Sequence, residues 1–430
     1  MRKQAVYRRY KTNKVMNIWI LNHYANSPDT PGGTRHYDFA RELVKQKRQV
    51  TIFASGFSHR TRKEKGLRKG QNYIRENING VEFLWIRTFP YYGGNDWRRV
   101  VNMLSYSFRV VPLGLKLKEK PDVILASSPH PFAGLAGWLL AKFKRAKFIF
   151  EVRDLWPENF VGIKGYSNSS PFIRLLRPLL KFLYQRAQKI VVIPPKASDY
   201  ITKLGIPDYK IIHIPNGISP ELFSNTDAQL PKSLKELVSS LKSQRKLLVG
   251  YTGAHGPADA LGTLIETAKL LKDKGTSKTH FLLVGDGSEK QRLIEMSKSA
   301  RLDNISFVDP IPKNTIPELL RAIDIATFPL RKSSVRKYGT SKNKLFDYMA
   351  SARPVVRCAD SGNDPIAEAD CGITVPPEDV KAIAEAILKL CALSDKERQE
   401  MGKRGYEYVM KHHSVPVLAK KLLAVMENEI

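Results

Sequence analysis

A cationic loop that leads into an amphipathic helix carries residue types suited to a phosphorylated ligand. Residues 341–350 read Ser-Lys-Asn-Lys-Leu-Phe-Asp-Tyr-Met-Ala. Backbone N–H groups at a helix start and a nearby ammonium, here that of Lys344, favour a phosphate. A carboxylate one turn further on, that of Asp347, can accept hydrogen bonds from sugar hydroxyls. We therefore expect Ser341, Asn343, Lys344 and Asp347 to form part of a nucleotide-sugar pocket.

Two glycine-containing loops lie where open α/β sheets bind ligands, after the last residue of a predicted strand. Gly32 and Gly33 follow the first strand, and Gly253, His255 and Gly256 follow a strand of the second half. Glycine lets the backbone approach a ligand, and the helix after each loop offers N–H groups to a phosphate. We expect both loops to contact the donor. Neither matches Gly-x-Gly-x-x-Gly, and no acid ends the second strand, which argues against a dinucleotide oxidoreductase.

Other polar residues stand at the ends of predicted strands in the first half. Arg153 and Asp154 follow an apolar strand and should face the ligand cleft, where we expect them to be catalytic. A structural Arg–Asp pair is the alternative for these two residues. His130 ends another strand and is predicted on the acceptor side, with a loop histidine that makes a local hydrogen bond as the alternative.

The second half adds four residues to the predicted donor site. Gly285 forms a strand-to-glycine turn. Ile311 and Leu330 are expected to line the pocket for the base, with simple packing as the alternative. Arg331, together with Lys344, is expected to supply positive charge to the diphosphate, because the Gly253 loop itself contains neither Arg nor Lys.

The elements around these residues alternate between apolar strands and amphipathic helices. Residues 16–21, 34–47 and 50–54 form a predicted βαβ unit, and a second such series begins at residue 247. Continuous apolar strands indicate parallel sheets that are covered on both faces. The fold class is therefore α/β, with two Rossmann-like doubly wound domains that face a cleft. The expected division is a basic extension 1–14, domains 15–218 and 247–412, a linker 219–246 and a C-terminal helix 413–430.

Two motifs resemble the retaining glycosyltransferases of family four. That family commonly has Ser-Pro-Asn-Lys-Leu-Phe-Glu-Tyr-Met-Ala-Ala-Gly-Lys-Pro-Val where this chain has residues 341–355, with Lys342 at the Pro position and Asp347 at the Glu position. Residues 154–158, Asp-Leu-Trp-Pro-Glu, are similar to a bacterial subgroup that acts on amino sugars of surface polysaccharides. The resemblance implies a GT-B fold, a nucleotide sugar in the cleft and a last helix that crosses back to the first domain.

The resemblance also implies a mechanism. The family keeps the anomeric configuration, which implies front-side attack by the acceptor hydroxyl, with Asp154 orienting the acceptor. Many members carry a histidine where this chain has Arg153, so no catalytic histidine is assigned. Electrostatic preorganisation can replace a metal ion, and the chain contains no Asp-x-Asp. We expect neither a metal nor a cofactor, with the nucleoside-diphosphate sugar as co-substrate.

The net charge of +30 is the unusual feature of the composition. Clustered Lys and Arg residues indicate an anionic partner, either a membrane surface or nucleic acid. Residues 172–184 mix large apolar residues with Arg and Lys, which is typical of an interfacial helix. A packed helix with snorkelling cations is the alternative. No nucleic-acid reading module is recognisable, so nucleic acid is not expected as a partner.

Location and substrate follow from these features. Three cysteines in no metal-ligand spacing, and the lack of an apolar run of about 20 residues, favour the cytoplasm. We expect a peripheral protein on the inner face of the cytoplasmic membrane. It would transfer a sugar, expected to be an N-acetylated amino sugar from a UDP donor, to a polyprenyl-diphosphate-linked glycan. A sugar-nucleotide epimerase of the same architecture and a basic nucleic-acid-binding protein are the alternatives.

Overall fold

The computed structural model describes residues 15–429, apart from residues 31, 60, 93–96, 129, 225–227 and 277. The predicted basic extension 1–14 lies outside the described residues. Within the described ranges, none of the helices combines the length and the hydropathy required to span a bilayer.

The first domain is built on an eight-stranded sheet in the order β3-β4-β2-β1-β5-β6-β7-β8. Every neighbouring pair is parallel except β3 and β4. Its elements in chain order are β1 Asn17–Leu21, α1 Arg35–Lys45, β2 Gln49–Ser55, β3 Tyr73–Ile78, β4 Val81–Ile86, α2 Trp97–Lys116, β5 Val123–Ser127, α3 Pro131–Lys144, β6 Lys147–Val152, α4 Glu158–Lys164, α5 Pro171–Arg186, β7 Lys189–Val192, α6 Ser198–Ile201 and β8 Ile211–His213.

The antiparallel β3–β4 hairpin was not predicted. Its turn is Asn79-Gly80, with φ of 51° and 83°, the left-handed conformation that a two-residue hairpin turn requires. An Asn-Gly pair between two apolar runs is a recognisable hairpin signal. This edge of the sheet was therefore readable from the sequence.

Helices cover both faces of the first sheet. Helices α2, α3 and α5 pack on one face, where Tyr106, Leu140 and Leu183 join the strand residues in one core. Helix α1 covers the other face together with α16, Val415–Glu427, the last helix of the chain. The C-terminal helix therefore packs against the first domain.

The second domain contains a six-stranded, all-parallel sheet in the order β11-β10-β9-β12-β13-β14. The two tandem doubly wound domains confirm the predicted fold class. The remaining elements are α7 Pro220–Ser224, α8 Lys232–Ser243, β9 Leu247–Thr252, α9 Leu261–Asp273, β10 Thr279–Val284, α10 Lys290–Ser299, β11 Ile305–Val308, α11 Ile316–Ala322, β12 Ile325–Pro329, α12 Asn343–Ala350, β13 Val355–Cys358, α13 Pro365–Glu368, β14 Gly372–Val375, α14 Val380–Ala392 and α15 Asp395–His413.

The segment 219–246 is not a plain linker. Its helix α8 buries Leu234, Val238 and Leu241 in the core of the second domain. These leucine and valine side chains recur at intervals of four and three residues, so they lie on one face of the helix. The abundance of Ser and Lys in the segment hid this spacing, and α8 belongs to the second domain.

Helix α5 corresponds to the segment predicted as an interfacial helix. Its side chains Ile173, Leu176, Leu180 and Leu183 are buried within the first domain. The alternative, a packed helix with cations on its outer side, is the arrangement that the structure has. Leu175 alone among its leucines is largely exposed, at 65%.

The two domains touch across the cleft through loops. Lys313 Nζ, beyond β11, donates to Thr34 Oγ1 at the start of α1 at 2.7 Å. The backbone N–H of Asn216 donates to Ser341 Oγ at 2.8 Å. Ser333 Oγ donates to the carbonyl of Gly162 at 3.0 Å. The loops that carry the predicted site therefore face one another.

Candidate active site

Lys344, on the first turn of α12, lies against the loop that follows β9. Its ammonium donates to Asp259 Oδ1 at 2.8 Å and to the hydroxyl of Tyr251 at 2.5 Å. A Cβ built on Gly253 would lie 2.9 Å from this ammonium, so a larger residue there would displace the ammonium from its present position. The φ of Gly253, 146°, also belongs to the region that favours glycine. The structure therefore brings the predicted residues Gly253 and Lys344 together.

Burial shapes the charge of this pair. It lowers the pKa of Lys344 to about 8, and the carboxylate of Asp259 acts in the opposite direction. Burial would raise the pKa of Asp259, but Lys344 and Lys342 outweigh it and hold the pKa below its ordinary value. The side chains of Lys344 and Asp259 are only 16% and 7% exposed. The loop thus holds a fixed ammonium in a site with little water.

The loops after β9 and β10 stack on each other. The φ of Gly285 is 148°, and a Cβ at this position would lie 1.8 Å from the carbonyl oxygen of Gly253. The N–H of Gly253 donates to Val284 and that of His255 to Asp286, at 2.9 and 2.8 Å. These two N–H groups are therefore engaged within the protein, so the Gly253 amide is not available to a diphosphate in this conformation.

His255, which belongs to the loop after β9, is fully buried. Within the described part of the chain, neither ring nitrogen has a hydrogen-bond partner. Burial lowers the pKa of His255 to about 4, so the imidazole is neutral at physiological pH. A buried polar group without a partner costs about 1–3 kcal/mol, which marks the position as unusual for a purely structural residue.

The Gly33 loop of the first domain faces the start of α12. A Cβ on Gly33 would lie 3.0 Å from Nδ2 of Asn343. The Oδ1 of Asn343 is buried and lacks a hydrogen-bond partner among the described residues. Gly32, with φ of 126°, makes the turn that positions this approach. The predicted glycines of the first loop and Asn343 therefore meet across the cleft.

Asp347 lies in a polar cluster shared by both domains. Burial raises its pKa to about 7, Lys313 opposes this shift, and Asp38 of α1 reinforces it. Asp38 accepts a hydrogen bond from Thr34 Oγ1 at 2.7 Å. Burial raises the pKa of Asp38 as well, again opposed by Lys313. The sequence offered no sign that Thr34, Asp38 and Lys313 would join Asp347, because they come from distant segments.

Arg153 and Asp154 stand where the sequence placed them, just after β6. Arg153 is partly buried and its N–H donates to Ser128 Oγ at 3.2 Å. Asp154 is exposed and accepts from Asn159 Nδ2 at 3.0 Å. Among the described residues no ion pair joins the two side chains, so the alternative of a structural Arg–Asp pair is not seen. Their catalytic role stays a prediction.

Glu151, near the end of β6 and two residues before Arg153, has a clearer structural role. Glu151 is buried and accepts from Arg35 Nε at 2.9 Å, from His36 Nε2 at 2.7 Å and from Ser127 Oγ at 2.6 Å. Burial would raise the pKa of Glu151, but His36 and Arg35 hold it well below its ordinary value. This network connects α1 to β6 and so positions the start of α1, which follows the Gly33 loop. The acid of this strand was not singled out from the sequence.

His130 is a correction to the predicted acceptor side. It is fully buried, and its Nδ1 accepts from the N–H of Ala133 at 3.2 Å, which caps α3. Its Nε2 lies 2.7 Å from Nδ1 of His23. Burial lowers the pKa of His130 to about 3. A helix cap with a local hydrogen bond, the alternative, is the observed role.

Four further predicted donor residues are now placed. Leu330 is fully buried in the core of the second domain, so the prediction that it lines the base pocket is wrong. It directly follows β12, a central strand covered on both faces. Ile311 is partly buried and packs against that core. Arg331 is exposed beside Gly256, and Ser341 is bonded to Asn216. These two residues lie around the Lys344 site without contacting its ammonium.

Metal ligands were not expected from the sequence. In the portion of the chain that the structure describes, no group of three or more His, Cys, Asp or Glu side chains is arranged to hold a metal ion. The site itself offers a fixed ammonium, that of Lys344, glycine loops and the carboxyl groups of Asp259 and Asp347.

Two facing Rossmann-like domains, with a phosphate-suited cationic loop in the second, define a GT-B glycosyltransferase. Residues 246–392 match the family described as "Glycosyl transferases group 1", and residues 32–217 match the "Glycosyl transferase 4-like domain". The chain belongs to the group 1 glycosyl transferases. This membership favours transfer over the epimerase and nucleic-acid alternatives.

Individual relatives agree with this assignment. The chain is 25% identical over 319 residues to the probable glycosyltransferase WbjE of Pseudomonas aeruginosa, covering 71% of this chain and 76% of the relative. It is 23% identical over 298 residues to the putative colanic acid biosynthesis glycosyl transferase WcaI of Escherichia coli K12, covering 67% and 71%. Anabaena Alr3699/HepE, solved in complex with UDP and glucose, superposes with a TM-score of 0.67 at 15% identity, covering 96% and 99%. The last similarity concerns the fold.

Proposed function

We propose that this glycosyltransferase moves an N-acetylated amino sugar from UDP to a polyprenyl-diphosphate-linked glycan in cell-surface polysaccharide biosynthesis. The observation that carries the donor half is the ammonium of Lys344, held beside Gly253, while the neighbouring Asn343 meets Gly33 across the cleft. A buried ammonium in this position suits the diphosphate of a sugar nucleotide. The relative from Escherichia coli, a putative glycosyl transferase of colanic acid biosynthesis, and the Asp-Leu-Trp-Pro-Glu motif support the acceptor half.

The proposed reaction retains the anomeric configuration and uses no metal. The acceptor hydroxyl attacks the anomeric carbon from the face that the diphosphate leaves, and the bond from that carbon to the phosphate oxygen breaks. The departing phosphate oxygen takes the proton of the hydroxyl. Lys344 stabilises the charge that develops on the leaving group, which requires no reorganisation because the ammonium is already fixed. Arg153 and Asp154 are proposed to contact the reacting sugars, with Asp154 orienting the acceptor.

Asp347 and His255 are assigned supporting roles. Asp347 is proposed to accept hydrogen bonds from the ribose hydroxyls of the donor. The unpartnered imidazole of His255 is proposed to find its hydrogen-bond partner when the diphosphate fills the loop above it. The role of His255 is consistent with a buried imidazole that lacks a hydrogen-bond partner among the described residues, and that of Asp347 with a carboxyl group whose pKa burial raises.

The test is a transfer assay with a panel of UDP-N-acetylhexosamines and a polyprenyl-diphosphate-linked saccharide. We expect UDP release that requires acceptor, an unchanged rate in excess chelator and a product with the anomeric configuration of the donor by NMR. UDP release that never depends on any acceptor, for any donor, would refute transfer. Loss of activity in chelator that added divalent ions restore would refute metal independence, and an inverted product would refute retention.

A further inference from the structure

An acid-free layer of three helices covers one face of the first domain. Helices α2, α3 and α5 together carry ten Lys or Arg residues and no Asp or Glu. They lie side by side: a Cβ on Gly114 of α2 would be 2.8 Å from Leu140 of α3. The rings of Trp138 in α3 and Phe182 in α5 meet at 4.8 Å. The layer is thus one continuous, cationic surface of the protein.

Large apolar side chains project outward from the same layer. The exposed fractions are 66% for Trp97, 76% for Phe108, 62% for Phe143 and 65% for Leu175. Leu115 is 42% exposed. Scattered exposed apolar residues are ordinary, but a group of them on three neighbouring helices that carry Lys and Arg and no Asp or Glu marks an interaction site.

The apolar side chains of α2 form a stripe. Trp97, Leu104, Phe108 and Leu115 follow at intervals of seven, four and seven residues, which places them on one side of a helix. At the end of the stripe, Lys144 of α3 donates to the carbonyl of Leu117 at 2.6 Å. This bond brings the C-terminal ends of α2 and α3 together, so the exposed Phe143 lies at the same end as Leu115.

We propose that the outer surface of α2, α3 and α5 docks on a bilayer that contains anionic lipid. The apolar side chains enter the headgroup region, and the surrounding Lys and Arg side chains meet the lipid phosphates. This inference rests on the lipid-linked acceptor proposed above, and it assigns the main contact to α2 and α3, with α5 adding cations at the edge. Nucleic acid is the less suitable partner, because phosphate binding would leave the exposed Phe and Leu side chains without a role.

The docking surface adjoins the cleft. Arg99, near the start of α2, donates through Nε to the hydroxyl of Tyr24 at 3.3 Å. Tyr24 belongs to the loop after β1, and the same loop continues to Gly33 at the cleft. A lipid-linked acceptor whose chain stays in the bilayer would thus present its sugar beside the reacting groups.

The apolar half of the proposal is tested by flotation of the full chain with vesicles of phosphatidylglycerol and phosphatidylcholine in equal parts. Phe108→Ser with Phe143→Ser should weaken binding about tenfold or more, because each aromatic side chain loses apolar contact with the interface. The matched control, Tyr209→Ser with Tyr406→Ser, removes two exposed rings elsewhere, at 73% and 40% exposure. It should bind as the unaltered chain does. Equal binding by both double variants would overturn the proposal.

The cationic half uses the triple variant Arg109→Gln, Lys116→Gln and Arg174→Gln. Binding at low ionic strength should fall roughly a hundredfold, since each Lys or Arg at an anionic surface contributes about 1 kcal/mol. The control removes equal charge from exposed lysines of the second domain, Lys269, Lys298 and Lys381. Equal losses in both triple variants would show that net charge, and not this surface, governs binding, and would overturn the proposal.

Three further measurements keep the outcomes separate. Thermal unfolding confirms that each variant is folded. Transfer to a short-chain, water-soluble acceptor analogue without vesicles tests the proposed function alone, and the surface variants should retain it. Transfer by the unaltered chain, if that chain does not bind vesicles, would overturn the docking surface and leave the function intact. Random-sequence RNA or DNA that competes with vesicles for this surface, and binds it more tightly, would assign the surface to nucleic acid.

Discussion

Replacement of Lys344 by Met tests the donor site most directly. Met has a similar unbranched chain but no charge, so it removes the ammonium with little change in volume. A charge-assisted contact to the diphosphate is worth about 1.5–3 kcal/mol, which corresponds to a roughly 10- to 150-fold rise in the Kd for UDP. Calorimetric titration of UDP measures this change.

The same substitution also affects stability, because Asp259 loses its closest cation. Removal of one partner of a buried pair costs about 3–5 kcal/mol. We expect a loss near the lower limit, since Lys342 remains 3.5 Å from Asp259. The double variant Lys344→Met with Asp259→Asn should regain most of the lost free energy of unfolding in urea but none of the UDP affinity. This difference separates binding from folding.

The pH dependence gives a third test of the lysine. Because the pKa of Lys344 is about 8, the free protein loses this charge as the pH rises above that value. UDP affinity of the unaltered chain should then fall by up to about tenfold per pH unit, whereas Lys344→Met should lack this fall. The control is Lys242→Met, which breaks the ion pair of Lys242 with Asp324, just before β12 and so at the end of the sheet away from the site. This variant should bind UDP normally. A folded Lys344→Met protein with a Kd within about twofold of the original would refute the site.

Three other substitutions test the supporting structure. Glu151→Gln should lower the free energy of unfolding in urea by roughly 3–5 kcal/mol at neutral pH, because the buried Arg35 loses its carboxylate. Since the pKa of Glu151 is held well below its ordinary value, the difference in free energy of unfolding between the two proteins should shrink in acid. Identical urea midpoints of the variant and the unaltered chain at neutral pH would contradict the argument. Asp347→Asn should raise the Tm more at about pH 8 than at about pH 5. The reason is that a carboxyl group with a raised pKa makes the folded state less stable as the pH rises towards that pKa. A gain in Tm that does not depend on pH would argue against the raised pKa of Asp347. Gly285→Ala should destabilise the protein by more than about 2 kcal/mol, whereas Gly262→Ala, with its nearest contact at 3.7 Å, should not.

The residues of the candidate donor site that the structure brings together are ones whose signals in the sequence are local. The glycines of the β9 loop and the cationic start of α12 are adjacent to strands and helices that the apolar periodicity already indicates. Their partners could not be predicted in the same way. Lys344 bonds Asp259 across 85 residues, and Lys313 reaches Thr34 across 279 residues. Nothing in a local segment specifies such pairs.

By itself, the sequence determined the two doubly wound domains, the phosphate-suited loops and the excess of positive charge. Alternating apolar segments can bury their surfaces in few other ways, and a glycine in a loop or a lysine at a helix start is recognisable within a short segment of the chain. The tertiary structure alone decided what is buried. It placed His130 and Leu330 in the interior, paired Glu151 with Arg35 and gathered the cations of three separate helices on one surface. Burial and pairing depend on the free energy of contacts between distant segments, and such contacts exist only once the chain has folded.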